Sequence, residues 1–106
     1  MYKVVILESA ECDLKELKTY LVKNFSLATW QTSYQLIKDV VRTLKTFPFA
    51  GSVPEEFENL NLMQYRQLIA GKNRIIYEIR AEIVYIHIIV DTRQDLKSLL
   101  MRRLLR

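Results

Sequence analysis

The chain has 106 residues, 50% hydrophobic and 26% charged, with a formal charge of +4, so we expect a single globular domain spanning residues 1–106 that tolerates an acidic partner. No apolar run approaches the roughly 20 residues that cross a bilayer, and no signal peptide is visible, so we expect a cytoplasmic protein with no membrane partner. Because Cys12 is the only cysteine and His87 the only histidine, a disulfide framework and familiar zinc sites are excluded within the chain, and we expect no metal and no cofactor.

A strand and two helices are predicted for the first half of the chain. Residues 2–7 form a short apolar run typical of a strand. Ser9 can cap a first helix from Ala10 to Asn24, and Ser26 can open a second that ends near Phe47, because Pro48 disfavours helical geometry before it. The short connection predicts an antiparallel helical hairpin. Each helix carries one apolar stripe, formed by Ala10, Leu14, Leu17, Leu21 and Phe25 in the first and by Trp30, Tyr34, Ile37, Val41 and Leu44 in the second.

A basic row and an acidic loop lie between the hairpin and the next regular segment. Lys38, Arg42 and Lys45 fall on a separate edge of the second helix, where the favoured interpretation is a solvated face and the alternative is a binding site. Residues 48–61 contain two prolines, Gly51 and three glutamates without sustained periodicity, which predicts a loop of about a dozen residues. Its acidity makes this loop a poor candidate for contact with phosphates.

Residues 65–95 contain three runs rich in β-branched and aromatic residues, which predict an antiparallel β-meander. Gly71 can adopt a positive φ in the first turn of the meander. The helical hairpin can cover only one face of this sheet, so we expect the opposite face, or part of it, to expose apolar surface that binds a partner. Strict alternation in the last strand places Val84, Ile86, Ile88 and Val90 on one face, with Ile83, Tyr85, His87 and Ile89 on the other.

The order of strand, helical hairpin, loop, antiparallel meander and basic tail predicts an α+β fold. It resembles the RelE/ParE superfamily of toxins from type II toxin-antitoxin systems, in which a short C-terminal helix follows the meander. The residues that carry the resemblance occur in order over nearly the whole chain: Ala10, Asp13 and Leu14; Phe47, Pro48 and Gly51; Arg66; residues 73–77; and Arg93, Asp95 and Leu96.

Departures from the superfamily pattern indicate the branch. RelE-like members are ribosome-dependent messenger RNA endonucleases that place an arginine where this chain has Ile69, and a tyrosine or histidine where residues 91–100 contain neither. ParE-like members lack that set, and their family activity is inhibition of DNA gyrase. The resemblance is therefore closest to the ParE-like branch. It implies a toxin that inhibits gyrase, blocks replication and is neutralised by direct binding of a cognate antitoxin in a hetero-oligomer.

The resemblance also indicates candidate site residues. If the chain is ParE-like, none of its residues is expected to be catalytic. Asp95 is expected to orient the tail, and the structural alternative is a local ion pair between Arg93 and Asp95. Leu96, Leu99, Leu100 and Leu104 would form an apolar face at helical spacing, with Arg102, Arg103 and Arg106 elsewhere on the turn. The structural alternative for these arginines is a final helix docked on the sheet edge, with the arginines solvated. The candidates for binding gyrase or nucleic acid are Arg66, Arg74, Arg93, Arg102 and Arg103.

Two other functions stay open on the sequence. A ribosome-dependent endonuclease would use Arg66, Arg74 and Arg93 as phosphate-binding cations, with His87 or Tyr85 in proton transfer. A toxin without activity, retained for antitoxin binding or for regulation of its operon, is the other alternative. In each case the antitoxin is expected to supply an extended segment and a helix that cover the open apolar surface and an edge strand.

Overall fold

The computed structural model describes residues 1–103, so Leu104 and Arg106 of the predicted final helix lie outside the described residues. None of the helices among residues 1–103 combines the length and the apolar composition of a membrane span. The described elements follow one another as β1 (Lys3–Ile6), α1 (Glu8–Asn24), α2 (Leu27–Thr43), α3 (Glu55–Asn59), β2 (Tyr65–Ala70), β3 (Asn73–Arg80), β4 (Ile83–Asp91) and α4 (Leu96–Arg103).

The strands form one mixed sheet in the order β1-β4-β3-β2, which confirms the predicted α+β fold. The three strands of the meander pair antiparallel, and Gly71 turns the chain between β2 and β3 with a φ of +63°. β1 pairs in parallel with β4, placing Val4 opposite Val84. This parallel pairing requires a long crossover, which the helical hairpin and the first meander strands provide.

The two long helices begin in different ways. α1 starts at Glu8, and the prediction that Ser9 caps it is wrong, because Leu7 occupies the cap position without a side-chain hydrogen bond. Ser9 lies inside the first turn, where its hydroxyl donates to the carbonyl of His87 at 3.3 Å. Ser26 caps α2 as predicted, since its Oγ accepts from the backbone N of Thr29 at 3.0 Å.

The helical hairpin covers the first face of the sheet, as predicted. Two members of the predicted stripes are exposed instead: Phe25 lies in the turn between the helices, and Tyr34 stacks on Trp30 outside the core. The buried core of this face is formed by Ala10, Ile37, Leu44, Ala70, Ile75, Tyr77, Val84, Ile86 and Ile89.

The second face of the sheet is also covered, which corrects the expectation of an open sheet face. Part of the predicted loop forms the short helix α3, and α4 returns across the sheet after β4. Phe57 of α3 and both Leu96 and Leu100 of α4 pack against Ile76 and Ile88, and all of them are buried. Five residues are too few to display a helical period, which is why the pattern of this segment predicted a loop.

A β-bulge at His87 changes the faces of β4. Neighbouring residues of β3 pair with Ile86 and Ile88, so His87 is an extra residue in the ladder. Beyond the bulge, Ile88 and Val90 belong to the core of the second face, whereas Val84 and Ile86 belong to the first. The predicted common face for these residues is therefore wrong, because strict alternation assumes an uninterrupted ladder.

Candidate functional site

A groove of about 1040 Å³ opens between the helical hairpin and the end of the sheet where β2 turns into β3. Apolar walls come from α1 and α2, and Ile89 lies at the base. Phe25 is 62% exposed and Leu36 is 44% exposed, so the groove leaves large apolar side chains in contact with water. This exposed apolar surface is a different one from the open sheet face that the sequence predicted. Its shape and chemistry suit the apolar side of a peptide segment.

Charged side chains surround the mouth of this groove. The Nε and Nη2 atoms of Arg93 donate to the carboxylate of Asp91 at 3.1 and 3.4 Å, while the Arg93 backbone N donates to the same carboxylate at 2.8 Å. Asp91 and, to a lesser degree, the nearby Tyr20 hydroxyl raise the pKa of the guanidinium. Arg93 is therefore an oriented cation at the rim, and its partner is Asp91 rather than Asp95.

The Arg93–Asp91 contact makes a testable pH prediction. The Arg93 side chain donates to the Asp91 carboxylate and lowers its pKa below the ordinary value of 3.8, against the opposing effect of burial. Because the pKa of Asp91 is lower in the folded state than in the unfolded state, its carboxylate stabilises the fold fully at pH values above its unfolded-state pKa. This stabilisation is lost as the pH falls through the folded-state pKa of Asp91. We expect Arg93→Ala to raise the Asp91 pKa, as measured by an NMR titration of the side-chain carboxyl carbons.

Asp95 provides an internal control for that titration. Hydrogen bonds from Ser98 lower the pKa of Asp95, so its midpoint should stay in place in the Arg93→Ala variant. A variant in which Asp91 titrates as in the parent protein would contradict the assigned contact. The same Asp95 carboxylate caps α4, accepting from the Ser98 backbone N at 3.2 Å and from its hydroxyl at 2.7 Å.

Arg103 connects α4 to α1 across the edge of the sheet. Its Nη1 donates to both carboxylate oxygens of Asp13 at 2.8 Å, and its Nη2 donates to the His87 carbonyl at 2.6 Å. Asp13 also accepts from the backbone N of Ile89 at 3.0 Å. These contacts satisfy backbone groups of β4 where β1 has ended. Arg103, a candidate target-binding residue, therefore has a structural role in the folded chain.

The other candidate arginines lie in three separate places. Arg66 donates to the Gly51 carbonyl at 2.6 Å and lies over the Phe49 ring. Arg74 is largely buried on the second face, where its Nη1 pairs with Glu56 at 3.0 Å. Arg102 is exposed on α4. Arg93 and Arg102 are therefore the exposed candidates, whereas Arg66 is half-buried beside Phe49.

The residues of the endonuclease alternative do not converge. Arg66 stands opposite Tyr77 in the sheet register, whose ring lies in the core of the first face, while Arg74 reaches Glu56 on the second. The imidazole Nε2 of His87 contacts the Glu78 carboxylate at 3.0 Å, and both side chains are about 15% exposed. Cations and a proton-transfer group therefore do not face one common phosphate position.

Sequence reasoning missed several contributors to these sites, among them Asp13, Tyr20 and Glu78. Asp13 was identified only as part of a family motif, although a carboxylate on the sheet-facing stripe of an amphipathic helix indicates a buried partner. Tyr20 and Glu78 gave no such signal. Their roles depend on which end of β4 and which face of β3 the fold brings near them.

Comparisons with known proteins agree with this architecture. Residues 4–96 match the model of a family described as ParE toxin of type II toxin-antitoxin system, parDE. A solved structure from the chromosomal ParDE TA system of P. aeruginosa superposes with a TM-score of 0.71 at 17% identity, covering 86% of this chain and 96% of the other. A search of curated protein sequences found no match.

Proposed function

The chain belongs to the ParE toxin family of type II toxin-antitoxin systems, and on this basis we propose that it inhibits DNA gyrase and is neutralised by direct binding of a cognate antitoxin. The proposal follows the activity of the ParE-like branch. The observation that carries it is the exposed Arg93 at the mouth of an apolar groove, which combines a target-facing cation with a place for an inhibitor.

The arrangement of polar groups favours gyrase inhibition over RNA cleavage. Ile69 is 49% exposed where an endonuclease would place a cation, and it lies opposite Arg74 in the sheet register. Arg74 itself is held by Glu56, and His87 by Glu78. Cleavage of a phosphodiester would require a free cation and a free proton-transfer group, but Arg74 and His87 are both already paired with a carboxylate. A protein that acts by binding makes no such demand.

The antitoxin is proposed to fill the groove with an apolar helix. Leu21, Phe25 and Leu36 present side chains that an amphipathic helix can cover. An extended segment can then pair with an outer strand of the sheet. β1 is an outer strand in the described sheet order, whereas β2 already pairs with Ser52 through a bridge at Gln67. β1 is therefore the better edge for strand addition.

This placement gives neutralisation a physical basis. Arg93, Asp91 and Asp95 lie on the rim of the same groove whose walls the antitoxin would cover. A helix seated between Phe25 and Leu36 would sterically exclude a second macromolecule from Arg93. Antitoxin and target would therefore compete for the toxin, and no displacement of α4 is needed.

The test of the target is a supercoiling assay with purified gyrase. We expect the wild-type chain to inhibit supercoiling and, on induction in bacteria, to cause chromosome breaks and a DNA-damage response. Arg93→Ala should weaken inhibition by about fivefold or more, because arginine is enriched among the interface residues whose truncation costs more than about 1 kcal/mol of binding. Unchanged supercoiling at excess toxin, with intact chromosomes in induced cells, would refute gyrase as the target.

Arg80→Ala is the matched control for this substitution. It removes the same charge from a side chain of similar exposure, 62% against 78% for Arg93, at the far end of β3. Its inhibition should equal that of the parent protein. Messenger RNA cleaved on the ribosome in induced cells would support the endonuclease instead, and growth without any defect would support a toxin that has lost its activity.

A further inference from the structure

The basic row of α2 runs along an exposed edge, away from the groove. Lys38 and Arg42 are exposed on α2, about 6 Å apart along its axis at 1.5 Å per residue, and Lys45 is exposed in the turn that follows the end of α2 at Thr43. The Lys38 ammonium lies 4.6 Å from the centre of the Tyr34 ring. Arg42 pairs with Asp39 at 3.2 Å, with 67% and 50% of the two side chains exposed, so this pair is weak and can exchange partners.

Two exposed phenylalanines continue the row at the end of the helix. Phe47 is 64% exposed and Phe49 is 60% exposed. The turn that carries them is nevertheless held in place by hydrogen bonds to its backbone groups. The Phe47 N donates to Thr43 O at 2.8 Å, and the Tyr77 hydroxyl donates to Pro48 O at 2.8 Å. Large apolar rings on a fixed and exposed turn are presented at no further cost in backbone order.

A fourth cation is stacked on one of these rings. The Arg66 guanidinium lies 5.1 Å from the centre of the Phe49 ring while its Nη1 donates to Gly51 O. The remaining N–H groups of this guanidinium do not contact a carboxylate within residues 1–103. A cation–π contact of this kind holds a flat donor group beside the ring.

The acidic residues of the segment 48–61 lie apart from its aromatic turn. Glu55, Glu56 and Glu58 lie in α3, and Glu56 pairs with Arg74 on the second face of the sheet. Phe49 instead meets the edge of the Tyr2 ring, which packs on the first-face core. The aromatic turn and the acidic helix therefore serve different faces, although they are neighbours in sequence.

We infer that these six side chains form a binding face for single-stranded nucleic acid, here called the basic–aromatic face. Unstacked bases offer flat surfaces to exposed aromatic rings, while a row of cations follows the phosphates without reading the sequence. An interface with protein would favour a larger apolar centre with few charges. The inference does not depend on gyrase or on the antitoxin. The face consists of Lys38, Arg42, Lys45, Phe47, Phe49 and Arg66.

The test is fluorescence anisotropy of a labelled oligodeoxythymidine of about 12 nucleotides with the purified full chain, between about 50 and 200 mM salt. We expect binding that weakens with salt. The double variant Phe47→Ala/Phe49→Ala should weaken it by about tenfold or more, because each stacked base is worth at least about a factor of five. The variant Lys38→Ala/Lys45→Ala should reduce the slope of log affinity against log salt by about 1.4.

The controls remove similar groups elsewhere. Leu27→Ala deletes an apolar side chain that is 54% exposed at the other end of α2, and Lys18→Ala deletes an exposed cation of α1. Both should bind the oligonucleotide as the parent chain does. Absence of binding at the lowest salt, or equal affinity in the double phenylalanine variant, would overturn the inference. The inference would also be overturned if the double phenylalanine variant lost affinity for gyrase protein but kept its affinity for the oligonucleotide.

Discussion

Gly51→Ala is expected to lower the free energy of unfolding by about 3 kcal/mol or more. A Cβ atom at this position would lie 2.4 Å from the backbone oxygen of Gln67 and 2.7 Å from the hydroxyl of Tyr77. The first neighbour belongs to a strand and cannot rotate away. The variant must therefore move the loop from β2, and urea unfolding should show a lower midpoint with an unchanged slope.

The hydrogen bonds around Gly51 explain why such a movement is costly. The Gly51 N donates to the Tyr77 hydroxyl at 2.9 Å, and the Gly51 carbonyl accepts from Arg66. Ser52 and Gln67 exchange backbone hydrogen bonds of 3.3 and 2.8 Å beside them. Burial raises the pKa of Tyr77, so its hydroxyl remains a neutral donor to Pro48. Displacement of the loop would leave several buried polar groups without partners.

Gly71→Ala is the comparison variant for Gly51→Ala. Gly71 has a φ of +63°, which costs another residue about 1–2 kcal/mol, but its added Cβ would meet only the movable end of Leu36 at 3.1 Å. We expect this variant to be the more stable of the two. Equal stability of both variants would show that the loop at Gly51 can move without losing its contacts.

The sequence predicted the long elements well because their periods are visible. The hairpin helices and the meander strands extend over enough residues for apolar spacing to identify the type of each element. α3 has five residues and shows no period, and the bulge at His87 is invisible to an alternation that assumes a regular ladder. The parallel pairing of β1 depends on tertiary packing, which local pattern does not encode.

The candidate site was less accessible from sequence. Arg93 and Asp95 could be identified through a family resemblance, but not their partners, because Asp91 and Ser98 were two among many polar residues near the tail. The groove depends on how close the turn between α1 and α2 lies to the turn between β2 and β3, since both turns line it. That geometry explains why Phe25 is exposed although it belongs to a regular apolar stripe.

Asp13→Ala is expected to cost about 3 kcal/mol of folding stability, because it breaks an ion pair that is largely removed from water. The side chains of Asp13 and Arg103 are 11% and 18% exposed. The substitution also deprives the Ile89 amide of its acceptor. Urea unfolding should give the loss in stability. Hydrogen exchange should become faster at Ile89 and throughout α4, whose C-terminal end depends on the Asp13 contact.

A double-mutant cycle with Arg103→Ala separates the pair from the rest of the site. Removing both partners leaves no unpaired buried charge, so the double variant should lose clearly less than the sum of the two single losses. Glu11→Ala, at an exposed position of the same helix, should change stability by no more than about 0.5 kcal/mol. If Asp13→Ala is as mild as Glu11→Ala, or if the two losses simply add, Arg103 does not hold α4 to α1. Arg103 would then be available to a target in the same way as Arg93 and Arg102.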